Sequence, residues 1–137
     1  MFAINKKLAL KIMITLISLV IVFHFAVIFS IIPYDIVWAG KIHTLQEMYT
    51  FESVSIAVNI LLLVTLIMKN EYIKSGVSQS ILDLLLWIFV IVFLLNTIGN
   101  LMAETLFERW VFTPLTLISA VLLWVIVRRE GQVRSGY

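Results

Sequence analysis

From Ile12 to Pro33 the chain carries no acidic or basic residue except His24. A helix needs ~20 mostly apolar residues to cross the hydrocarbon of a bilayer, and this run supplies them. Three similar runs follow. Ser53 to Met68 reaches spanning length if Thr50, Phe51 and Glu52 form its first turn. Leu84 to Ala103 lies between Asp83 and Glu104, and Trp110 to Val127 lies between Arg109 and the pair Arg128 and Arg129. No run alternates with period two, which argues against a membrane β-barrel. The expected fold is all-α: an integral membrane four-helix bundle forming a single transmembrane domain over residues 1–137, with helices near 9–32, 50–69, 81–103 and 110–128.

Composition agrees. Hydrophobic residues make up 62% of the chain and charged ones 13%, against ~45–50% apolar in soluble domains. A small soluble domain hides only ~60–70% of its unfolded surface, so the excess must face lipid. The bilayer is the first expected partner. A net charge of +2 with basic residues at helix ends gives no reason to expect nucleic acid. Cysteine is absent, which excludes disulfides, thiolate catalysis and cysteine metal sites. Lys6, Lys7 and Lys11 ahead of an apolar run also suit a signal peptide. Signal-peptide cores are only ~7–15 residues long and end at a small-residue cleavage site. The run here is longer, and Val27-Ile28-Phe29-Ser30 offers no such site, so an uncleaved helix is expected.

Lysine and arginine placement sets the expected orientation. Lys6, Lys7, Lys11, Lys69, Lys74, Arg128, Arg129 and Arg134 fall on one side of the four spans, and Lys41 and Arg109 on the other. The eight belong in the cytoplasm, giving a multi-pass protein of the cell membrane, a bacterial inner membrane, with both termini inside. Residues 69–80 read as a polar cytoplasmic turn containing Gly76, and the short link from Ala103 to Arg109 makes helices three and four an antiparallel pair. Pro33 to Tyr49 is the long outer loop. Its stretch Ile32-Pro33-Tyr34-Asp35-Ile36-Val37-Trp38 is too apolar for a solvated loop, so it either folds back as a lid (Tyr34, Asp35, Trp38) or anchors at the interface.

Polar groups inside a bilayer are costly and normally face the bundle interior or a cavity. Glu52, Ser55 and Asn59 share one face of helix two. Asn96, Asn100 and Glu104 share one face of helix three, with Thr97 beside it. Helix four adds Thr113 and Thr116 around Pro114, and helix one adds His24 and Ser30. At ~1.5 Å rise per residue, most of these fall in the outer half, with His24 and Asn59 nearer the middle. They outline an outward-facing polar cavity lined by Glu52, Ser55, Asn59, Asn96, Asn100, Thr113 and Thr116, with His24 at its floor. The plain alternative is packing, because Asn, Ser and Thr commonly hydrogen-bond neighbouring helices. No second histidine stands at ligand spacing from His24, so neither a metal nor a cofactor is expected.

Ile32-Pro33-Tyr34-Asp35-Ile36-Val37-Trp38-Ala39-Gly40, Phe51-Glu52, Asn96-Thr97-Ile98-Gly99-Asn100, Leu106-Phe107-Glu108-Arg109 and Phe112-Thr113-Pro114-Leu115 together resemble a family of small, uncharacterised four-helix bacterial membrane proteins. That resemblance implies fold and location but no activity. The chain is more loosely similar to the EXPERA group, the sterol-isomerase and sigma-2-receptor-like proteins. Glu52 matches their acid early in helix two, and Ala103 to Arg109 matches their approach to helix four. Helix one here lacks the intramembrane acid of that group. The similarity implies a ligand pocket.

The expected function is binding of a small amphipathic or lipid-like ligand in the outer cavity. An oligomeric ion or proton-coupled transporter, an intramembrane isomerase-like enzyme using Glu52 with His24, and a structural subunit of a membrane complex are the alternatives. No G-x-S-x-G, H-E-x-x-H or phosphate-loop motif supports an enzyme.

Overall fold

A computed structural model describes residues 4–70 and 78–128. Lys74, Gly76, Arg129 and Arg134, used above for orientation and for the cytoplasmic turn, lie outside the described residues. The architecture is all-helical: α1 (Lys6–Ile28), α2 (Leu45–Lys69), α3 (Gln79–Leu101) and α4 (Thr113–Val127), the last entered through a π-helical turn, Glu108–Phe112. Counting that turn with α4, the four helices have 23, 25, 23 and 20 residues, and each is long and apolar enough to span a membrane.

Local signals explain the helix ends. Asn5 Oδ1 accepts from the Leu8 amide at 2.8 Å, so α1 starts at Lys6 rather than near residue 9. It stops at Ile28 rather than near residue 32, because Ser30 turns left-handed (φ 58°) and the Ile31 amide returns to the Ala26 carbonyl at 2.9 Å. Thr44 caps α2 by accepting from the Glu47 amide at 3.1 Å, while Glu47 Oε2 reaches back to the His43 amide at 2.9 Å. This variant of the capping box moves the start of α2 to Leu45, ahead of the expected residue 50.

Two apolar clusters hold the bundle. One runs along the half nearer the termini, where Ala9, Met13 and Ile17 of α1 meet Leu62, Leu66, Leu86, Leu123 and Ile126. The other lies at the opposite end, which we call the loop end, where Val27, Val37, Ile42 and Met48 are buried with Phe23, Ile36 and Phe112 packed around them. The outward surface is apolar as well: Val22, Leu84 and Leu95 are each more than half exposed. A soluble protein does not present such residues on every side.

Among neighbours in the chain, α2 and α3 touch least. At the terminal end they are joined by Lys69 Nζ, which lies 2.6 Å from Asp83 Oδ1 and donates to Gln79 Oε1 at 3.0 Å. A half-open groove of about 350 Å³ beside this pair is lined by Ser80, Asp83, Leu84, Trp87 and Val127.

Candidate functional site

At the loop end the chain doubles back through two short 3₁₀ turns, Tyr34–Ile36 and Trp38–Gly40. The second turn carries Trp38 over α2. There Trp38 Nε1 donates to Glu52 Oε1 at 2.7 Å, and its ring lies against Phe51, with centroids 5.0 Å apart. The other carboxylate oxygen, Glu52 Oε2, lies 2.6 Å from His24 Nδ1 on α1. Glu52 itself is completely buried, and the His24 side chain is 15% exposed. Two residues distant from it in the chain, His24 and Trp38, thus converge on the Glu52 carboxylate.

A nitrogen and an oxygen this close share one proton, which belongs either to the imidazole or to the carboxyl group. With the proton on His24, Glu52 is a carboxylate accepting two charge-assisted bonds. Phe23 meets His24 edge-on at 5.9 Å and Phe112 at 5.3 Å, so aromatic edges line this side of the pair.

Trp38 adopts φ 57°, a left-handed conformation that costs a residue with a Cβ about 1–2 kcal/mol. Gly40 follows at φ 71°, and a Cβ added there would sit 3.5 Å from Glu104 Oε2. Such strain persists only where the surroundings enforce it. Here the bond to Glu52 and the Phe51 contact hold the indole. Of the other two lid residues, Tyr34 packs against the loop-end apolar cluster while Asp35 is exposed.

A second polar group joins α3 to α4. The hydroxyls of Thr97 and Thr116 lie 2.9 Å apart, and Asn100 Nδ2 reaches Thr116 Oγ1 at 3.4 Å. Each threonine also bonds back into its own helix, to the carbonyls of Phe93 and Phe112, at 2.8 Å in both cases. Thr116 therefore serves the helix start near Pro114. The Thr113 hydroxyl is buried and finds no partner among the described residues.

The remaining candidates lie elsewhere. Asn59 is half-buried and donates to the Ser55 carbonyl in its own helix at 2.8 Å. Asn96 is exposed, on the same side of α3 as Asn100 but further round from Thr97. Glu104 is exposed too. Of the expected face of α3, Asn100 and the neighbouring Thr97 turn toward α4, while Asn96 stays outside. Among the described residues no three His, Asp or Glu side chains are placed to share a metal ion.

One buried acid escaped the sequence reading. Glu108, 3% exposed, stands at the start of the π turn, with its Oε2 accepting from the Thr105 hydroxyl at 2.6 Å. The same hydroxyl lies 3.3 Å from the Ile36 carbonyl, so the α3–α4 link touches the lid segment. The signal was present as Thr105-Leu106-Phe107-Glu108, a T-x-x-E capping pattern. The π turn ends two residues before Pro114, whose ring cannot fit a regular turn behind it.

No protein-family model matches this chain, and no curated protein or solved structure does either. What the buried cluster does must be read from its own chemistry.

Proposed function

We propose that this chain is a four-span membrane protein with both termini in the cytoplasm, and that its His24–Glu52 pair receives the polar head of a small amphipathic molecule beneath Trp38. The observation that carries this reading is the completely buried Glu52 carboxylate, one of whose two partners sits on a strained loop. An intramembrane acid with a named partner is a functional-site hypothesis by default. The orientation rests on the eight-to-two distribution of lysine and arginine, which puts the cluster in the outer half.

Trp38 fills the place of a ligand donor. When its indole N–H withdraws, Glu52 Oε1 is left as an unpaired acceptor in apolar surroundings. The molecule that replaces it must bring a donor of its own, so a hydroxyl or ammonium head on an apolar body fits best. A carboxylate or phosphate head would meet like charge.

Native mass spectrometry of protein gently extracted from its own membranes tests the proposal. A stoichiometric small molecule should accompany the wild type and Trp38→Phe and be missing from Glu52→Gln. Bare protein in all three samples would overturn it.

The short His24–Glu52 contact favours one second reading, proton-coupled transport by an oligomer. Reconstituted protein that moves no protons under an imposed gradient would remove it.

A further inference from the structure

Polar side chains in these helices mostly satisfy themselves. Thr15, Ser18, Thr50, Thr65 and Ser119 each donate to the carbonyl four residues back, and Asn59 does the same with its amide. Asn96 does not. Its side chain is exposed on α3, five residues before the helix ends at Leu101, and makes no hydrogen bond among the described residues. At ~1.5 Å per residue it lies roughly 7 Å below the helix end, too deep for a short side chain to reach water easily. Lipid tails offer it no partner.

Gly99 lies one turn further along the same side. It is exposed, and a Cβ built there meets nothing within 4 Å. Close helix approach at a small residue, fixed by an amide that bonds across, is how helices associate in lipid. Leu95 and Val92 flank the two positions with apolar surface.

We propose that a second copy of this chain covers this patch, with α3 packed on its twin near Gly99 and the two Asn96 amides bonded to each other. A carboxamide carries both a donor and an acceptor, so two copies related by a twofold axis satisfy one another reciprocally, N–H to C=O in each direction. No foreign partner is needed to complete the bonding. The inference rests on the membrane-spanning part of the reading above and not on its ligand.

The absence of native cysteine makes the test clean. Single cysteines at Gly99, at Leu95 and, as a control on α1, at Val22 are expressed separately, and the membranes are washed with alkaline carbonate before oxidation with copper phenanthroline. Gly99→Cys or Leu95→Cys should yield a disulfide-linked dimer, and Val22→Cys should yield far less. Adding Asn96→Leu should lower the cross-linked fraction roughly threefold or more, the factor that one average interhelical polar contact supplies. Asn96→Gln should restore most of it. Leucine on a lipid-facing surface does not threaten the fold, so loss of the dimer would report the contact. Cross-linking at residues 95 and 99 no greater than at residue 22, or unchanged by Asn96→Leu, would overturn the proposal. Protein washed off by carbonate would instead sink the membrane reading beneath it.

Discussion

Trp38→Phe isolates the bond between the loop and the buried carboxylate. Phenylalanine keeps an aromatic ring for Phe51 and removes the N–H that Glu52 Oε1 accepts at 2.7 Å, together with the smaller part of the indole's bulk. A hydrogen bond to a charged group contributes about 1.5–3 kcal/mol. Because Glu52 is completely buried, water does not replace the donor. We take about 2 kcal/mol, which at 1.4 kcal/mol per decade makes the open loop about 30-fold more populated. The left-handed strain at Trp38 acts in the same direction, since it is relieved when the segment lets go. Lys41 is exposed just beyond the second 3₁₀ turn, so trypsin cleavage there reads the opening directly. When opening and closing are faster than cutting, the rate follows the open population. In detergent, cleavage after Lys41 should therefore accelerate about 30-fold in the variant, while cleavage after Arg109 stays as it was. A change below about threefold (under 0.7 kcal/mol), or an equal rise at both sites, would refute the view that this bond holds the loop.

Two further outcomes follow from the polar contacts. A double-mutant cycle of His24→Phe and Glu52→Gln, read by thermal unfolding in detergent, should show a coupling above about 1 kcal/mol, because contacting partners in one network do not add; strictly additive losses would mean the 2.6 Å contact carries no energy. Thr116→Val removes the hydroxyl shared by Thr97 and Asn100 and should cost about 1 kcal/mol in the same assay; a variant as stable as the parent would show that this network contributes little.

The helices and their number were legible because long apolar runs have no other economical use. Glu52 and His24 stood out for the converse reason, as ionisable groups inside such runs. Which side of α3 faces inward was not legible. Asn96, Asn100 and Glu104 form a plausible face by spacing, yet α3 is apolar all round, so no contrast fixes its rotation. Packing against α4 decides it, and turns Thr97 in and Asn96 out. The apolar loop suggested a lid, but its anchoring by Trp38 on Glu52 depends on a left-handed backbone that no residue type there announces. Glu108 lies in a short link by sequence, and only the capping pattern at Thr105 marks it as the start of a helix.

The distribution of polar bonds divides the chain into two halves that settle their own accounts. His24, Trp38 and Glu52 all precede α3, while Thr97, Asn100 and Thr116 all belong to α3 and α4. Bonds between the halves cluster at the two ends, from Lys69 to Asp83 and Gln79 and from Thr105 to Ile36, and apolar contacts such as those of Ile17, Leu62 and Leu123 fill the middle. During synthesis the first pair of helices could leave the insertion machinery with its buried acid already neutralised, before the second pair has been translated. The full bundle would then form by two pieces meeting in lipid, guided by shape, with Lys69 and Asp83 pairing at the terminal end as they meet.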